Sequence, residues 1–106
     1  MYHWTLLFIA GLLEIGWALG LKLSGGLSKP VPSALTITAM VASMYLLALA
    51  ARGLPIGTAY AVWTGIGAAG TAIGGMVLFG ESRDTVRLVC IALIVAGVLG
   101  LKFLAR

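Results

Sequence analysis

The chain has 106 residues, of which 61% are hydrophobic and 9% charged, with a net charge of +4 and a mean hydropathy of +1.13. Soluble domains carry about 25% charged residues, so this composition excludes a water-soluble enzyme, a disordered segment and, with Cys90 as the single cysteine, a disulfide scaffold. The basic residues are spread along the chain rather than clustered, which argues against nucleic acid as a partner. An integral membrane protein remains: a spanning helix needs about 20 apolar residues, and this length accommodates four as one transmembrane unit.

The first span covers about residues 2–22 and ends at Lys22. It lacks the basic start and the cleavage site of a signal peptide. Ser24-Gly25-Gly26-Leu27-Ser28-Lys29-Pro30 signals a turn, and Pro32 suits the first turn of the next helix. The second span reads 31–51 and is broken by Arg52-Gly53-Leu54-Pro55; the third reads 56–79 and is broken by Gly80-Glu81-Ser82-Arg83-Asp84. Asp84 or Ser82 could cap the fourth span, 85–104. Helices are expected because lipid offers no partner to an open strand edge. Loops this short leave no room for a soluble domain. Gly16 and Gly20, Gly70 and Gly74, and Ala92 and Ala96 are each four apart, the spacing of close helix packing.

Counting charge across such a topology gives Arg52, Lys102 and Arg106 on one side and Lys22, Lys29, Arg83 and Arg87 on the other. Orientation follows an imbalance of Lys and Arg, and three against four is hardly one. Either a weak bias decides, or the chain inserts both ways. Two copies in opposite orientation would supply the inverted repeat that transporters build around a midplane site.

Of the three acids, Glu81 and Asp84 fall in the third loop beside Arg83 and Arg87, where solvated charge is the expected role. Glu14 falls mid-span, and no Lys or Arg lies deep in any span to neutralise it. A carboxylate at that depth costs roughly 2.5–3.5 kcal/mol on insertion scales. It must be protonated, hydrated, or met by a cation that arrives; the plainer reading is a neutral acid acting as glue between helices. Leu7, Ala10, Gly11, Trp17, Ala18 and Leu21 share its helical face, and Gly11 and its small neighbours leave space beside it. The Trp17 indole can donate to the carboxylate or hold a cation on its face. Tyr60 and Trp63 share a face of the third span and both carry donors, whereas Ser43 in the second either joins them or back-bonds to its own helix. If protons and a cation compete for Glu14, the site cannot hold both, and that competition is the minimum device of proton-coupled antiport. No nucleotide-binding loop, metal cluster or cofactor motif accompanies it, so neither cofactor nor metal is expected. Gly65-Ile66-Gly67-Ala68-Ala69-Gly70 matches a dinucleotide fingerprint as a string, but inside a membrane span it reads as a flexible point where a helix can rock.

These residues resemble the small multidrug resistance transporters. The likeness covers the whole chain: four spans, Glu14, Lys22, the Gly25-Gly26 turn, Pro32-Ser33, the segment from Leu54 to Gly67, and Gly97 to Lys102. Trp17 and Met40 resemble the guanidinium-exporting subtype more than the drug-exporting one. The resemblance implies an antiparallel, dual-topology homodimer in the bacterial inner membrane that exports guanidinium or a small guanidinyl cation against protons by alternating access. It implies that Glu14 is the shared proton and substrate site, lined by Gly11, Trp17, Ser43, Tyr60 and Trp63. Gly65 and Gly67 would form the hinge, and Ala92, Ala96 and Gly97 would supply dimer contacts. Competing readings are an exporter of quaternary ammonium or other lipophilic cations, a non-transporting membrane subunit and a cation channel.

Overall fold

The computed structural model describes residues 2–103, and they form four helices: α1 (Tyr2–Leu23), α2 (Pro30–Ala50), α3 (Ile56–Leu78) and α4 (Thr85–Phe103). All four are long and apolar enough to cross a membrane. Their limits differ from the expected spans by one residue at Leu23, Pro30, Ala50 and Leu78. Leu104, the expected end of the fourth span, and Arg106 of the charge count lie outside the described residues.

The breaks have local causes. At the end of α1 the Gly26 N–H bonds the Leu21 carbonyl at 2.8 Å and the Gly25 N–H bonds that of Lys22 at 3.0 Å. This is a Schellman close, and Gly25 takes the left-handed φ of 63° that it requires. Pro30 opens α2, where a missing N–H leaves nothing unsatisfied. Asp84, rather than Ser82, caps α4: its Oδ1 accepts the Arg87 N–H at 2.8 Å, while the Ser82 hydroxyl braces Oδ2 at 2.9 Å. Those bonds, the backbone N–H first, hold the Asp84 carboxyl below the usual carboxylate range.

The helices make a flat slab, 42 × 34 × 17 Å. α1 packs on both α2 and α3, and α4 packs on α3, with its Lys102 ammonium 4.9 Å from the centroid of the Trp4 ring of α1. Close approach follows the small residues. A methyl group added at Gly70 or Gly74 would strike Ile15 or Leu19 of α1, and one at Gly20 would strike Thr36 of α2. Gly16 is open, so of its pair only Gly20 makes the contact. The main core gathers Leu7, Ala10, Ala50, Ala59, Val62 and Trp63 from three helices. Much of the remaining apolar surface is exposed, including Leu93 and Val86 of α4 and the single cysteine, Cys90. In a membrane that surface needs no water-compatible cover.

The third loop departs from the expected solvated charge. Glu81 accepts an ion pair from Arg87 Nη2 at 2.6 Å, with both side chains about two-thirds buried at 38% and 32% exposure. It lies against Gly75, where any side chain would collide with its carboxylate. The Arg87 guanidinium also reaches the Ala72 carbonyl of α3 at 3.4 Å, and Arg83 reaches that of Met76 at 3.3 Å. The two arginines thereby serve carbonyls of the last turns of α3, which is why Glu81 is folded in with them.

Candidate functional site

Glu14 lies on the face of α1 that meets α3, partly buried. The room for its carboxyl comes from Gly67: a Cβ there would overlap Oε1 and Cδ of Glu14. Gly11, expected to provide that room, does something else. It is buried against Ile66, whose side chain fills the space above it, with the branch carbon 2.8 Å from where a Cβ would stand. The correction follows from helix register: Gly11 meets α3 one turn before Glu14 does.

Ser43 joins three helices rather than back-bonding to its own. Its hydroxyl donates to the Ala10 carbonyl of α1 at 2.7 Å and accepts the Trp63 indole N–H of α3 at 3.0 Å. Both side chains are buried, Ser43 completely. Ala10 is one turn before Glu14, and Trp63 is one turn before Gly67. The relay therefore pins the two backbone segments that face each other across the carboxyl. An interhelical bond wins here because burial leaves the indole N–H no water to use.

Tyr60 stacks obliquely on Trp63, with ring centroids 5.6 Å apart, and remains 55% exposed. Trp17 does not bond Glu14. Its Nε1 and Glu14 Oε1 are both buried without a hydrogen-bond partner among the described residues. Two further buried hydroxyls, Ser33 and Thr71, are unpartnered in the same way, and neither is among the site residues expected from the sequence. Thr71 had a signal: it continues the i, i+4 row that starts at Trp63 and passes through Gly67.

α3 continues as unbroken α-helix through Gly65 and Gly67. Gly65 meets Val98 of α4, where a Cβ would collide with a Val98 methyl. Ala92, Ala96 and Gly97 are exposed on α4, and nothing lies within 4 Å of a Cβ built on Gly97. Two open grooves, about 250 and 290 Å³, flank the helices, one between α1, α3 and α4 and one between α1 and α2. Glu14 lines neither, and their walls are apolar apart from the Thr36 hydroxyl. Among the described residues no three His, Cys, Asp or Glu side chains converge.

Chemically, the site offers one partly buried carboxyl on a membrane-capable helix with an unpartnered oxygen, an unpartnered indole N–H three residues on, and the Trp63–Ser43–Ala10 hydrogen bonds one turn before it. It can hold a proton or a small cation.

Comparison with known proteins gives that arrangement a family. Residues 2–94 match the family described as Small Multidrug Resistance protein. A protein of Escherichia coli (strain K12) named Guanidinium exporter is 61% identical over 99 residues, covering 93% of this chain and 94% of that one. One of Salmonella typhimurium with the same name is 59% identical over 103 residues, covering 97% and 98%. A third, from Proteus vulgaris, is 58% identical over 99 residues, covering 93% and 95%. With four membrane-capable helices and a family match over nearly its whole length, the chain belongs to the small multidrug resistance family.

Proposed function

We propose that this chain exports guanidinium from bacteria across the inner membrane in exchange for protons. The observation that carries the reading is Glu14, a carboxyl seated on Gly67 with Oε1 unpartnered. The name shared by relatives near 60% identity supplies the substrate.

Glu14 binds either a proton or the cation, and never both. Guanidinium is planar and permanently charged, and its N–H groups can grip carboxylate oxygens two at a time. Desolvating it costs free energy, which such charge-assisted bonds offset. The Trp17 and Tyr60 rings offer flat faces on which a planar cation can rest. The Trp63–Ser43–Ala10 relay holds α1, α2 and α3 in register, so the carboxyl keeps its place as the cation comes and goes.

The working unit in this proposal is an antiparallel homodimer. The nearly balanced basic residues on the two sides support it, as does α4, whose Ala92, Ala96 and Gly97 face is exposed. A second copy inserted the other way would meet that face and bring a second Glu14 to the midplane. Rocking of α3 about Gly65 and Gly67 would then exchange the open side.

The test is transport by purified protein in liposomes, read as internal pH and current on adding guanidinium. Proton movement driven by guanidinium, absent in Glu14→Gln, is the expected result. Transport that persists in Glu14→Gln would sink the role of the acid. A response to a quaternary ammonium alone would replace the substrate and keep the mechanism.

A further inference from the structure

Of the two unpartnered buried hydroxyls among the described residues, Ser33 and Thr71, only Thr71 lies on the helix that meets Glu14. A threonine in a lipid-embedded helix ordinarily donates to the carbonyl four residues back, which removes its polarity from the apolar surroundings. Thr36 does so to Pro32 and Thr38 to Ala34, each at 2.8 Å. Thr71 does not: its Oγ1 is buried and has no hydrogen-bond partner among the described residues.

Its position connects it to Glu14. Gly67 meets Glu14, Gly70 meets Ile15 and Gly74 meets Leu19, so α1 and α3 run in the same direction with positions rising together. Thr71 is one turn beyond Gly67 on the same face, and that register places it level with Trp17 and Ala18, one turn beyond Glu14. Three unpartnered polar atoms, Glu14 Oε1, Trp17 Nε1 and Thr71 Oγ1, thus fall within one turn of the same helix pair. An orphaned hydroxyl in the membrane interior is costly unless something completes it.

We propose that Thr71 is a specificity-determining residue of the transport site, whose hydroxyl accepts an N–H of the bound cation while Glu14 takes another edge of it. This rests on the exporter reading above. One helical turn is about 5.4 Å. Two hydrogen bonds of about 2.9 Å, one to each acceptor, already bridge that separation. A planar cation with N–H bonds at its corners satisfies both acceptors at once, and a quaternary ammonium, which has no N–H, cannot. The second acceptor therefore selects for guanidinyl cations by chemistry rather than by size.

The test measures guanidinium-driven proton flux in proteoliposomes over a range of guanidinium concentrations. The comparison is between wild type, Thr71→Val, which keeps the shape and loses the hydroxyl, and Thr71→Ser, which keeps the hydroxyl. Thr71→Val should raise KM about tenfold, the worth of one hydrogen bond to a charged group, with the maximal rate little changed. Thr71→Ser should return KM close to wild type. Thr71→Ala repeats the loss of the hydroxyl without added volume if the valine variant fails to fold. An unchanged KM in Thr71→Val or Thr71→Ala, a serine variant as weak as these, or a fall in maximal rate alone would overturn the assignment. Wild-type protein that moves no protons with guanidinium would instead bring down the exporter reading, and the Thr71 assignment with it, before any variant is compared.

Discussion

Gly67 of α3 and Glu14 of α1 occupy one site between them: the carboxyl lies where a side chain on residue 67 would be. The acid is placed by what its neighbour lacks. A glycine in a helix interior costs about 1 kcal/mol relative to alanine, so its use here has a local reason.

Gly67→Ala should therefore separate stability from transport. The added methyl meets the mobile end of Glu14, not backbone, so the helices need not part. Thermal unfolding should be unchanged or slightly raised. Guanidinium affinity should fall about tenfold or more, as the displaced carboxyl loses a charge-assisted bond. Wild-type affinity in a well-folded Gly67→Ala protein would contradict this placement of Glu14.

The Ser43 relay predicts unequal damage from its two ends. Ser43→Ala leaves the buried Trp63 N–H with no acceptor, which costs roughly 1–3 kcal/mol. Trp63→Phe leaves Ser43 still donating to Ala10 and removes one interhelical bond, which averages about 0.6 kcal/mol in membrane proteins. Unfolding in detergent should thus rank Ser43→Ala as the more harmful in its polar effect. The double variant should cost less than the sum of the singles. Additive losses would show that the 3.0 Å contact is energetically idle.

Asp84 gives a dependence on pH outside the membrane core. Its folded-state carboxyl is held below the ordinary value by the Arg87 N–H and the Ser82 hydroxyl. Its stabilisation is therefore complete above the unfolded value of about 3.9. It is lost as pH falls through the lower folded value. Asp84→Ala should unfold at a lower temperature than wild type at neutral pH, and the two curves should converge in acid. A gap that persists or widens at low pH would rule out the cap as its source.

Much of the architecture was legible because lipid simplifies the problem. Backbone groups that cannot bond to solvent must bond within the helix, so runs of apolar residues between Gly25, Pro55 and Asp84 could only be helices. The oddity of Glu14 was equally plain, since an ionisable side chain in an apolar run is costly at that depth. The turn signals also carried their mechanism: Gly25 closes α1 with a positive φ that other residues resist.

Side-chain partners across helices were a different matter. Helical spacing gives the face of a residue but not the register of the helix opposite. The sequence marked an acid, two indoles and a serine as candidates for one site, with the partner of the serine left open between that site and its own helix. Only the tertiary structure decided that Ser43 bonds Ala10 and Trp63, that Gly67 rather than Gly11 makes room for Glu14, and that Thr71 is left unpaired one turn away. Glu81 followed the same rule, drawn from a solvated loop to Arg87 by the carbonyls of α3. A shift of one residue in the packing of α1 on α3 turns a helix by about 100° and would exchange the α3 neighbours of Gly11 and Glu14. That rotation is set by contacts distant in the chain, which local sequence does not encode.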